Sequence, residues 1–83
     1  MKSEILTNLN GLMNANDLEE RVNLQIKASY LIELADFGLD KKDETLKKNE
    51  IISFLDDYIE KPDVQHKDVL LMHIAYIESQ NVA

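Results

Sequence analysis

The stretch VLLMHIAYI, from Val69 to Ile77, is apolar or aromatic at every position but one, His73. At about 100° per residue, its apolar side chains spread around most of a helical circumference. A helix that is apolar on all sides has to be covered on all sides. In a small helical protein an outer helix meets its neighbours over only part of its surface. Either this helix lies at the centre of the others, or its far face belongs to a second subunit or another protein. Short companions cannot easily surround one of their own number, so the second arrangement is the expectation.

The companions follow from the same spacing rule. Ile5, Leu6, Leu9, Leu12 and Met13 make one stripe on a helix over about 3–13, with Ser3 as its N-cap and Gly11 weakening its end. A second helix spans about 17–37. Asn16 with Glu19 approaches a capping box, and Gly38 suits a left-handed C′ position with Leu39 folding back on the last turn. Its apolar residues fall on two stripes, Leu18, Val22 and Ile26 on one and Leu24, Ala28, Leu31 and Ala35 on the other, which predicts neighbours on both sides. A third helix, about 43–61, is capped by Asp43 or Asp40. It carries Ile51, Ile52, Phe54, Leu55, Tyr58 and Ile59 on one side, and Pro62 closes it. The fourth, about 64–80, holds the opening stretch. No alternating strand pattern and no Asn-Gly or Asp-Gly turn occurs. The fold class is therefore all-α, a single domain over 1–83 built as a small four-helix bundle, with dimerisation as a way of completing it.

The chain has 83 residues and no cysteine, so a modest core is reinforced neither by disulfides nor by thiolate metal sites. Sixteen acids face nine bases, for a net charge of −7. Direct binding to a nucleic-acid backbone needs clustered positive charge and is not expected. The start, Met1 to Glu4, does not read as a signal peptide, and no apolar run reaches the roughly 18 residues of a membrane span. A soluble cytoplasmic protein is expected. Lysine far outnumbers arginine, and Asn and Ile are frequent, a composition associated with AT-rich bacterial and phage genomes.

Catalytic and metal chemistry find little support in the residues. His66 and His73 are seven positions apart, about 10 Å along a helix at ~1.5 Å per residue, too far for a shared zinc ion. His73 reads as a core or interface histidine held by a hydrogen bond; a pH-sensitive dimer contact is the sharper alternative. The acid pairs Glu19-Glu20, Asp43-Glu44 and Asp56-Asp57 read as solvated faces rather than general acid–base pairs in a dry cleft. The segment from Asp36 to Asp43 contains Asp-Phe-Gly and spaced aspartates. It has neither the rest of a kinase nor the register of a calcium loop. No enzyme, metal or cofactor is expected.

In size, acidity and helicity the chain is similar to small bacterial and phage regulators, inhibitors, immunity proteins and antitoxins. The likeness is one of class, and no motif transfers a residue role. The expected function is that of an acidic interaction module that binds and inhibits another protein, most simply as a homodimer. Leu71, Met72, Ile74 and Tyr76 are the expected contact surface, Tyr30 is a further anchor, and Asp56, Asp57 and Glu60 steer encounter. One alternative is a structural helical subunit of a phage or secretion assembly. Another is an acidic nucleic-acid mimic, which needs about one charge per 1.7 Å of axis; Lys47, Lys48 and Lys61 interrupt such a run.

Overall fold

Three of the four helices begin at an aspartate in the computed structural model, which describes residues 1–83. The elements are α1 (Lys2–Asn14), α2 (Leu18–Leu34), α3 (Lys41–Tyr58) and α4 (Val64–Ser79). Asp17, Asp40 and Asp63 each accept the backbone N–H three residues on, from Glu20, Asp43 and His66. Each thus satisfies an amide that the first helical turn leaves free, and each places negative charge at the positive end of the helix dipole. Ser3 does not cap α1. The cap position falls two residues earlier, at Met1, and the Ser3 carbonyl instead accepts from Thr7. Asp17, rather than Asn16, caps α2.

The C-terminal ends are satisfied differently. No helix carries a basic residue in its last turn. The cations arrive from elsewhere in the chain. Lys48 donates to the carbonyls of Glu33 and Ala35 at the end of α2. Arg21 Nε donates to the Ile59 carbonyl at 2.9 Å, closing α3, and Lys2 Nζ donates to Glu78 and Gln80 at 2.6 and 2.8 Å, closing α4. Each is a charge-assisted bond to orphan carbonyls at the negative end of a helix dipole. Each also ties one helix end to another element.

The end of α2 departs from the sequence reading. The helix stops at Leu34, and Ala35 is extended. Gly38 does adopt a left-handed φ of 74°, but it sits in the loop beyond the helix, not at its C′ position. The extended turn has two causes. Phe37 leaves the helical register to become fully buried in the core. Asp36 exchanges two backbone hydrogen bonds with Ala83, at 2.8 and 2.9 Å, so the chain's last residues are pinned to the α2–α3 loop. Phe37 N–H also donates to Glu44 Oε1 at 2.8 Å, while Glu44 Oε2 lies 3.4 Å from Lys48 Nζ.

Each helix packs on its chain neighbours and α4 closes the ring on α1, with no direct α1–α3 or α2–α4 contact. Ile5, Leu9, Leu12, Ala28, Ile32, Ile51, Leu55, Tyr58, Leu70, Ile74 and Ile77 meet inside, joined by Ala35 and Phe37 from the loop. Gly11 serves close packing: a Cβ there would lie 3.2 Å from Leu24 Cδ1, so α1 and α2 approach closely across it. The molecule measures 36 × 21 × 18 Å. No helix is long and apolar enough to cross a membrane.

Candidate interaction surface

The ring arrangement buries one side of each helix and leaves the other to solvent. On α4, Leu70, His73, Ile74 and Ile77 turn inward. Leu71 and Met72 stay 51% and 69% exposed, with Val64 and Ala75 on the same outer face. Of the contact residues expected on α4, Leu71 and Met72 are on the surface. Ile74 is 5% exposed and belongs to the core, and Tyr76 is half-buried. The Tyr76 ring lies 6.3 Å from Phe37, and Lys47 Nζ stands 4.1 Å from its centroid. Tyr76 thus helps hold α3 and α4 together.

A second apolar strip runs along α2. Of its two stripes, the one containing Leu24, Ala28 and Leu31 packs inward together with Ile32. On the other, Val22 is partly covered while Leu18 and Ile26 stay exposed. Ile26, Tyr30 and Leu34, spaced i, i+4, i+8, are 58%, 63% and 56% exposed, and Leu18 is also exposed. The expected neighbours on both sides of α2 are absent because a four-membered ring of helices offers each member only two partners, both on the inward side. Leu34 was not singled out by periodicity, although its four-residue step from Tyr30 continues the strip.

Charged residues border this strip, the exposed Lys27 on α2 among them. Asp56, Asp57 and Glu60 are exposed on α3, and Glu19 and Glu33 are exposed on α2 itself. Gln25 Nε2 donates to Asp56 Oδ1 at 2.6 Å, which joins the two helices beside Ile26. Arg21, the chain's single arginine, is committed to the end of α3. Of the acids expected to steer encounter, Asp56 is tied to α2 through Gln25, while Asp57 and Glu60 are exposed on α3 without a contact to α2. Leu71 and Met72 lie on α4, diagonally across the bundle.

The histidines meet around Phe54. His73 packs against its ring at 5.0 Å, and His66 stacks on it at 6.2 Å. The hydrogen bond expected for His73 is replaced by this aromatic contact. Burial holds its pKa below 6.5, partly opposed by Glu50 and reinforced by Lys47, so the ring is neutral at pH 7. His66 Nδ1 lies 2.7 Å from Asp63 Oδ1. Hydrogen bonds from the His66 backbone and ring, in that order, lower the Asp63 carboxyl. Nowhere do three or more His, Cys, Asp or Glu side chains converge as a metal site would need.

Two open hollows mark the surface. One, about 730 Å³, lies between α1 and α4 against Lys2, Ser3, Leu6, Thr7, Asn10 and Glu78. The other, about 350 Å³, lies at the start of α2 and is lined by Asp17, Glu19, Glu20, Asn23, Leu24 and Lys27. Both are lined mainly by polar side chains, and neither contains a buried titratable pair. Compared with known proteins, the chain matches no family model, no curated protein and no solved structure.

Proposed function

We propose that this chain is a protein-interaction module that binds another protein through the α2–α3 side and inhibits it by occupying its surface. One observation carries the reading: the exposed strip of Ile26, Tyr30 and Leu34, bordered by Glu19, Glu33 and Asp56, with Lys27 the one exposed cation on α2. An apolar strip with a tyrosine at its middle supplies the desolvated anchor of an interface, and a charged rim supplies steering. The sign of that rim selects a partner with a basic border around an apolar groove.

The test is affinity capture from the source cell with three baits: the wild type, Ile26→Asp and Leu71→Asp. A basic protein retained by the wild type and by Leu71→Asp, and lost with Ile26→Asp, supports the reading. Its activity should fall when the purified chain is added. Identical captures by all three baits would sink it.

A second reading, a structural subunit of a larger assembly, draws on the second apolar face, on α4. Faces on diagonally opposite helices can link one copy to the next without closing. Light scattering separates the two readings, because a building block grows beyond a dimer as concentration rises.

A further inference from the structure

We infer that the outer face of α4 is a self-association surface, taking the α4 of a second copy in antiparallel orientation about a two-fold axis level with residue 73. This goes beyond the partner-binding reading and does not depend on it, because α2 and α4 lie diagonally across the bundle and their outer faces point apart.

Local charge chooses the occupant. On the α2 strip Glu19, Glu33 and Asp56 outnumber the single exposed cation, Lys27, so pairing it with its own copy brings mainly like charges together. Around the α4 face the signs are mixed: Lys67, Asp68 and Glu78 are all exposed. Lys67 and Glu78 are eleven residues apart, about three turns, and so share one flank of the helix. An antiparallel two-fold contact places a flank against the same flank of the other copy. With the axis level with residue 73, Lys67 of one copy lies within about one residue's rise, ~1.5 Å along the axis, of Glu78 of the other, and the pair forms twice.

Shape points to the same register. Leu71 and Ala75 lie one turn apart on the outer face, symmetrically about residue 73, so each leucine of one copy projects toward the small alanine of the other. The size of the face sets the strength. α4 has 16 residues, roughly 24 Å at ~1.5 Å rise. One helix laid on one helix of that length covers less than the roughly 800 Å² per partner of a standard stable interface. The contact therefore belongs with small, transient interfaces, and the dimer forms only as concentration rises.

Sedimentation velocity of the full chain across a thousandfold concentration range, ending near millimolar, tests this. The wild type should pass from monomer to dimer and stop there. Leu71→Asp should abolish the dimer while circular dichroism shows the same helix content. Lys67→Glu and Glu78→Lys should each weaken the dimer at least tenfold, and the double variant should recover most of the loss, because the reversed pair forms again between copies. Ile26→Asp should leave association unchanged. A wild type that is monomeric throughout overturns the inference. So does a dimer that survives Leu71→Asp, or one whose single charge reversals are not repaired by combining them. Loss of the dimer with Ile26→Asp would move self-association to α2, and would thereby also count against the partner site proposed there.

Discussion

Two buried side chains set the behaviour of this protein at the scale of single residues. The Tyr58 hydroxyl is fully enclosed and has no hydrogen-bond partner, and burial raises its pKa, with Arg21 opposing. A buried hydroxyl without a partner costs free energy, so Tyr58→Phe should leave stability unchanged or raise it by about 1 kcal/mol. A urea titration read by circular dichroism measures this; a loss above that size would show that the hydroxyl is in fact satisfied. His73, 9% exposed, is kept neutral by burial against Phe54, with Glu50 and Lys47 facing it from α3. Its folded pKa lies below the unfolded 6.5, so the unfolded chain binds more protons between the two values. Stability is therefore full above 6.5 and is lost as pH falls through that window. Urea midpoints between pH 7.5 and 5 should fall in the wild type and fall less in His73→Phe. Equal slopes would remove His73 as the cause. The Asp63 carboxyl, lowered by its hydrogen bonds from His66, acts in a more acid range, below its unfolded 3.8.

Among the elements, the most consequential device is the capping of helix ends from other helices. Lys48 is largely buried, closes α2, and sits beside Glu44, which in turn holds the Phe37 amide. Lys48→Met keeps the aliphatic stem and removes the charge. It leaves the carbonyls of Glu33 and Ala35 and the Glu44 carboxylate without their cation, and should cost about 2–3 kcal/mol in chemical denaturation. A cost below 0.5 kcal/mol would mean that water replaces it. The N-terminal ends of these helices were partly legible in sequence: Asp40, one of two candidates for α3, lies a fixed step before the Asp43 amide it binds, whereas the caps of α1 and α2 fell at residues other than Ser3 and Asn16. The C-terminal ends were not legible. Lys48 is 13 positions from Ala35, and Lys2 is 78 from Gln80, so no local pattern links them. The early end of α2 has the same origin: burial of Phe37 and pairing of Asp36 with Ala83 override a glycine signal that looked like a helix stop.

For the whole molecule, the two sides of α4 should respond in opposite ways. Ile74 is in the core, and Ile74→Ala should cost about 2–4 kcal/mol through lost burial and the cavity left behind. Leu71→Asp, on the outer face, should change stability by less than about 0.5 kcal/mol. Thermal unfolding of both variants at low concentration checks the contrast, and similar losses would place Leu71 inside. Tyr30→Ala should likewise leave the fold intact while weakening partner capture by about tenfold or more.

Helix count, approximate spans, Asp40 as one of two candidate caps for α3, and the excess of apolar surface on α4 were determined by the sequence alone. Each is a matter of local spacing, and spacing survives without a structure. Tertiary structure decided which apolar stripe faces inward. Leu71 and Ile74 are alike in hydrophobicity, as are Ile26 and Ile32, and only the positions of the neighbouring helices separate them. The ring gives each helix two neighbours, both on its inner side, so the second stripe of α2 and the outer face of α4 remain open. Hydrophobicity says how much surface seeks cover, and the packing geometry says which part of it is covered.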